Sequence, residues 1–172
     1  MNLTSPRTLA AVFAAVLGLG AAGSASAQEW KTGAGAGVGP LGVGVAAMLT
    51  GPFGPQVVYD AGVFHVEGIV GFQSNDATTD FDIGGRFFYH VHASQAADFS
   101  LGAGLGVTSS DPDGPAEGTT NVHIDIGPQL RAFVVPNVAV SATAGLAIIT
   151  GDADNILITG DLVGTAGITY YF

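Results

Sequence analysis

The amino-acid sequence predicts an all-β fold: an eight-stranded antiparallel up-and-down transmembrane β-barrel preceded by a signal peptide. Three observations carry this prediction. The chain of 172 residues combines 48% hydrophobic residues and 27 glycines with only 10% charged residues. Apolar and polar residues alternate with a period of two along most of it, which is typical of strands. Residues that favour turns divide the alternating stretches into eight.

The composition excludes several classes of protein. The hydrophobic content excludes intrinsic disorder for the bulk of the chain, because disordered segments are poor in hydrophobic residues. Four basic residues against fourteen acidic ones give a net charge of −10, so we expect no nucleic-acid partner, since binding to phosphates depends on Lys and Arg. The absence of Cys excludes disulfides, thiolate metal sites and cysteine nucleophiles.

The first residues have the pattern of a secretory signal peptide. Arg7 precedes an uncharged run of 14 residues, Leu9–Ala22, and small residues follow at 25–27. We therefore predict cleavage after Ala27, with residues 1–27 as the signal peptide and 28–172 as the barrel domain. A membrane anchor is the alternative interpretation, but a helix that spans a bilayer needs about 20 residues.

The strands follow in order along the rest of the chain. Residues 32–59 carry no charged residue, but Gly and Pro are too frequent there for a helix. Further on, the alternation is regular, as in 80–92, where odd positions are apolar or Gly and even positions are mostly polar. The eight predicted strands are 39–49, 56–61, 64–73, 80–92, 98–108, 121–133, 138–149 and 157–172.

The predicted connections alternate between short and longer. Three short ones are 62–63, 93–97 and 134–137. The longer ones are 50–55, 74–79, 109–120 and 150–156. Several strands have the roughly 9–11 residues that a tilted strand needs to cross a bilayer. Short turns at one end and longer loops at the other are typical of a transmembrane barrel.

The alternation fits both a soluble barrel with an apolar interior and a membrane barrel with a polar one. Three features favour the membrane barrel. The polar faces carry Gly102, Gly104 and Gly106, which suit a narrow interior. They carry few Lys, whereas soluble sheets use exposed Lys against association. The last strand is amphipathic and ends in aromatic residues, which suit the membrane interface.

The signal peptide, the eight alternating strands and the terminal Tyr170 and Phe172 resemble the small outer-membrane β-barrels of the OmpA/OmpX-like class. The resemblance implies a location in the bacterial outer membrane, with outer-membrane lipid and lipopolysaccharide around the barrel. It also implies that Tyr170 and Phe172 form the C-terminal signal read by the barrel-assembly machinery. The short turns would then be periplasmic and the longer loops extracellular.

Strand parity predicts a polar network inside the barrel. If Gln73 pairs with Asp80, then Glu67 lies opposite Arg86, and such a pair is favourable across strands. Buried charges need partners, so we interpret the network as structural. Its predicted members are Glu67, Asp82, Arg86, His90, His92, Asp125, Arg131 and Asp161.

Two other interpretations assign the interior a specific chemical function, a metal site or a hydrolase site. His65, His90 and His92 point inward in this register and could bind a metal, although His92 would also suit a hydrogen bond to Asp98. Ser100 opposite His90 could belong to a hydrolase, but no nucleophile motif accompanies it. We therefore predict no catalytic residues, no metal and no cofactor.

The predicted function is that of an integral outer-membrane β-barrel with a structural or surface-interaction role in the bacterial envelope. A specific protein partner is not indicated. A narrow pore for small solutes is one alternative, although eight strands leave an interior just wide enough for side chains. A secreted soluble barrel that binds an apolar ligand is another.

Overall fold

Eight strands follow one another in the described part of the chain. The computed structural model describes residues 39–115, 117–151 and 157–172, with side chains for all of these except 157–163. The strands are β1 (Leu41–Ala47), β2 (Phe53–Asp60), β3 (Phe64–Ser74), β4 (Thr78–Ala93), β5 (Ala97–Pro112), β6 (Thr119–Val135), β7 (Val138–Gly151) and β8 (Leu157–Tyr171). The predicted signal peptide, residues 1–27, and residues 28–38 lie outside the described residues.

Each strand pairs antiparallel with the next, and β8 pairs with β1, so the sheet is a closed barrel. This confirms the predicted eight-stranded up-and-down architecture. Connections 61–63, 94–96 and 136–137 lie at one end of the barrel, which we call the turn end. Connections 48–52, 75–77 and 113–118 lie at the other, which we call the loop end. No helix among the described residues is long and apolar enough to cross a membrane.

The wall of the barrel has unequal height. Strands β1 and β2 have 7 and 8 residues, whereas β4 to β8 have between 14 and 17. The β1–β8 ladder that closes the barrel therefore pairs only five residues of each strand, from Gly42 opposite Tyr171 to Ala46 opposite Gly167. At the loop end the wall is low along β1 and β2 and tall elsewhere.

Two predicted loops are shorter than the sequence suggested. The ladder between β5 and β6 continues to the pair Ser110 and Thr119, so the predicted loop 109–120 shrinks to 113–118. Strand β2 begins at Phe53 and not at residue 56. Ser, Thr and Pro near these ends favoured loops in the sequence, but the neighbouring strands supply partners that extend the ladders.

Burial follows strand parity and is inverted relative to a soluble protein. Large apolar side chains stand on the outside, with Phe72 at 73% and Phe53 at 62% of full exposure. The inside holds charged and amide side chains that are almost fully buried, among them Glu67, Arg86 and Arg131. The apolar faces of the strands therefore point away from the lumen, the interior of the barrel.

The expectation that His92 points inward is wrong. His90 lies opposite Ser100, but His92 lies opposite Phe99, because a bulge inserts one extra residue into β4 between them. One extra residue reverses the parity of everything beyond it. His92 is therefore exposed on the outer face, whereas His90 is fully buried.

Candidate functional site

Arg131 is the centre of a charged cluster in the turn end of the lumen. Its Nε donates to both carboxylate oxygens of Asp98, at 3.1 and 3.0 Å. Nη2 donates to Oδ2 of Asp60 at 2.7 Å, and Nη1 to the hydroxyl of Tyr171 at 2.7 Å. Asp98 lies directly opposite Arg131 in the β5–β6 ladder. One guanidinium thus links β2, β5, β6 and β8 across the lumen.

Two buried histidines extend this cluster towards the middle of the barrel. Nε2 of His90 lies 3.0 Å from Nη2 of Arg131 and 2.7 Å from Nδ1 of His65. Because Arg can only donate, we assign Nε2 of His90 as an acceptor. Its Nδ1 then donates to the carbonyl of Gly62 at 2.8 Å. Nε2 of His65 lies 3.3 Å from Oε1 of Glu67, so the two histidines fill the space between Arg131 and the next layer.

That next layer is the ion pair between Glu67 and Arg86, which face each other in the β3–β4 ladder. Nε and Nη2 of Arg86 lie 2.7 and 2.5 Å from Oε2 of Glu67. The other carboxylate oxygen accepts a bond of 3.2 Å from the amide of Gln129, which also donates to Thr143. This middle layer joins β3, β4, β6 and β7.

The β1–β2 connection, residues 48–52, lies inside the lumen at the loop end, and we call it the inserted turn. The backbone N–H of Leu49 donates to Oδ2 of Asp125 at 2.7 Å. Nη1 of Arg86 donates to the carbonyl of Ala47, just before the turn, at 2.8 Å. Nδ1 of His123 lies 3.2 Å from the hydroxyl of Thr50. The sequence prediction placed 50–55 in an external loop and missed this insertion.

An open cavity of about 510 Å³ lies at the loop end, and we call it the vestibule. Its polar lining includes Gln73, Asp80, Asp82, Thr108 and Ser110. The hydroxyl of Ser110 donates to Asp80 at 2.5 Å. Asp82 is only half-buried, so it belongs to the mouth of the barrel and not to the ion pairs further in.

The predicted network divides into four groups. Glu67, Arg86, His90, Asp125 and Arg131 lie buried in the lumen, Asp82 lines the vestibule and His92 lies outside. The side chain of Asp161 is outside the described residues. The sequence predicted a hydrogen bond between His92 and Asp98, whereas in the structure Asp98 bonds to Arg131. The direct opposition of Asp98 and Arg131 was a signal that a full register of β5 and β6 could have found.

Among the described residues, the structure does not bring the three histidines together and gives Ser100 a partner other than His90. His92 lies on the opposite face from His65 and His90, and no group of three or more His, Cys, Asp or Glu that could hold a metal occurs in the described ranges. Ser100 donates to Asp98 at 3.3 Å. Nε2 of His90, which would have to accept its proton, already lies within hydrogen-bond distance of Nδ1 of His65 and Nη2 of Arg131.

Comparisons with known proteins find similarity in overall structure alone. No protein-family model matches the chain, and no curated protein matches it. The chain is similar to the N-terminal β-barrel domain of Pseudomonas aeruginosa OprF, with 15% identity, a TM-score of 0.49, and coverage of 77% of this chain and 95% of that one. It is also similar to Neisserial surface protein A, with 16% identity, a TM-score of 0.46 and coverage of 77% and 93%.

A third similar structure is a major outer membrane protein from Thermus thermophilus, with 15% identity, a TM-score of 0.45 and coverage of 77% and 98%. The assignment of the fold rests on the strand register and closure described above. The lumen contacts are features of this chain's own residues.

Proposed function

We propose that the protein is an integral outer-membrane β-barrel with a structural role in the envelope of a diderm bacterium, without catalysis. The observation that carries the proposal is the inverted burial. Twenty-five large hydrophobic residues among those described are exposed on the outside, while the lumen holds buried charges. Water-soluble monomers rarely expose contiguous apolar patches of more than a few hundred Å², whereas a lipid-facing barrel requires such a surface.

Exposed aromatic side chains near both ends of the wall support the membrane assignment. Phe72 and Phe81 face each other across β3 and β4 near the loop end. Tyr59, Tyr89 and Tyr170 stand outward near the turn end. Aromatic girdles at both interfaces are typical of outer-membrane barrels. Closure of the sheet also pairs the backbone groups that lipid cannot solvate.

The surroundings of the barrel follow from the same proposal. Outer-membrane lipid and lipopolysaccharide would contact the apolar belt. Tyr170 and Phe172, both half-exposed or more on the outer face, would be available to the barrel-assembly machinery, whereas Tyr171 between them is buried in the lumen. Export by the predicted signal peptide, residues 1–27, belongs to the same proposal.

The filled lumen supports a structural role over that of a pore. The Arg131 cluster, the Glu67–Arg86 layer and the inserted turn occupy successive levels of the interior. An eight-stranded barrel has room for little beyond its own side chains. We therefore expect no steady conductance.

Two measurements test this function. Cell fractionation with gel migration before and after heating should place the protein in the outer membrane with a heat-modifiable band, and a soluble protein without that band would refute the membrane assignment. In planar bilayers the folded protein should be silent. Regular single-channel steps would favour the narrow pore instead.

A further inference from the structure

The inserted turn is a compact apolar unit that fills the loop half of the lumen. Met48, Leu49 and Pro52 are all buried to at least nine-tenths. The N–H of Met48 donates to the carbonyl of Pro52 at 2.9 Å, which closes the turn on itself. Gly51 has a φ of +80°, a left-handed conformation that favours glycine. A Cβ at Gly51 would also lie 2.7 Å from the ring of His123.

The opposite wall has a matching socket of glycines. A Cβ at Gly84 would lie 2.5 Å from Sδ of Met48, and one at Gly106 would lie 2.8 Å from Cγ of Pro52. At Gly104 a Cβ would lie 3.0 Å from Cε of Met48. Glycine permits this close approach because it has no side chain. The three glycines of β4 and β5 thus leave the space that the turn occupies.

Along β4 and β5, the inserted turn lies next to the inner end of the vestibule. Asp82 and Thr108 face each other in the vestibule, and Gly84 and Gly106 face each other two residues further in. Because alternate residues share one face of a strand, the socket lies directly below the vestibule. Arg86 lies opposite Gly104 at the inner edge of the socket, and it binds both the carbonyl before the turn and Glu67.

We propose that the inserted turn, residues 48–52, is a displaceable plug that seals the lumen against the outside. In the sealed state the vestibule ends at the turn. When the turn leaves its socket, the vestibule becomes continuous with a glycine-lined chamber that reaches down to Arg86 and Asp125. Access from the loop end to the deeper lumen is thus controlled by one short turn. The Glu67–Arg86 ion pair is a second barrier behind it. The proposal concerns the lumen and holds in whichever membrane the barrel resides.

Single cysteines can report on the plug because the chain has no natural Cys. Ala147 is a suitable position in the part of the lumen that the plug covers, since it is inaccessible and lies opposite Asp125, which binds the turn. Gln73 is a suitable position above it, since it lines the vestibule and is exposed. The measurement is the rate at which a hydrophilic maleimide labels Ala147→Cys or Gln73→Cys in the full barrel folded in detergent micelles.

Two variants displace the plug by different means. Gly106→Val crowds the socket, whereas Met48→Ala removes the side chain that fills it. Gly68→Val is the matched control for the first, because a Cβ at Gly68 meets nothing within 4 Å. The heat-modifiable band shows for each variant whether the barrel is folded, and Met48→Ala serves if Gly106→Val fails to fold.

With the plug in place, we expect Gln73→Cys to react quickly and Ala147→Cys to be protected. Gly106→Val or Met48→Ala should increase the labelling rate of Ala147→Cys by about tenfold or more, the effect of weakening closure by about 1.4 kcal/mol. Neither variant should change the rate of Gln73→Cys. Fast labelling of Ala147→Cys in the unaltered barrel, no acceleration by a folded plug variant, or an equal acceleration by Gly68→Val would overturn the proposal.

Discussion

The two halves of the lumen are filled by different means. In the turn half, charged side chains from distant parts of the chain meet at Arg131, whose partner Asp60 lies 71 residues away in sequence. In the loop half, a single local turn packs its apolar side chains against glycines on the opposite wall. A narrow barrel can thus be closed by cross-linking its walls or by folding one connection inward. The first means joins the strands through charged side chains, whereas the second joins them mainly through the packing of one turn.

The difference has an energetic consequence. Buried ions are stable only with their partners, and the removal of one partner leaves the other charge without compensation. A packed turn loses only the burial and contacts of the atoms that are removed. We therefore expect the turn half to be the more sensitive of the two to single substitutions.

The largest effect should follow from Arg131→Met. This change leaves the carboxylates of Asp60 and Asp98 buried without their cation, and such a loss costs about 3–5 kcal/mol. Urea titration of the heat-modifiable folded band measures the free energy of unfolding. Arg131→Lys, which keeps the charge, should lose less. A loss below about 1 kcal/mol for Arg131→Met would show that the cluster does not hold the turn half together.

A smaller loss should follow from Met48→Ala in the loop half. Truncation of a buried Met to Ala costs about 2–5 kcal/mol in cores that cannot relax, and we expect the lower end because the turn borders the open vestibule. The same urea titration applies. The double variant with Arg131→Met should lose the sum of the single losses to within about 0.5 kcal/mol, since distant sites are additive. A clear departure from additivity would contradict the separation of the two halves.

A still smaller loss should follow from Tyr171→Phe, at the strand that closes the barrel. The change removes only the hydroxyl that accepts from Nη1 of Arg131 at 2.7 Å, and a hydrogen bond to a charged group contributes about 1.5–3 kcal/mol. We expect the lower value because Arg131 keeps both carboxylates. Tyr170→Phe, on the outer face, is the matched control and should not change the urea midpoint. Equal effects of Tyr171→Phe and Tyr170→Phe would refute the role of the Tyr171 hydroxyl in stabilising β8, the strand that closes the barrel.

Much of this architecture could be predicted from the sequence because strand parity is a local property. The alternation in β4 and the pairing of Gln73 with Asp80 place Glu67 opposite Arg86, as the ladder shows. The inserted turn could not be predicted in the same way, because an apolar connection rich in Gly and Pro has no period that shows on which side of the wall it lies. The insertion depends on a tertiary contact, the fit between Met48 and the glycines of two later strands.

The smallest expected effect concerns His92, which lies just beyond the bulge in β4. Beyond that bulge, the alternation of inward and outward residues no longer predicts the face on which a side chain lies. Parity without the bulge gives His90 and His92 the same face, yet only His90 bonds to Arg131 and to the carbonyl of Gly62. His92→Leu should therefore change the free energy of unfolding by no more than about 0.5 kcal/mol, as at other exposed positions. His90→Leu in the same urea titration should be clearly destabilising, because it removes an acceptor from the buried guanidinium. Similar losses at the two positions would mean that β4 runs without the bulge and that His92 faces the lumen after all.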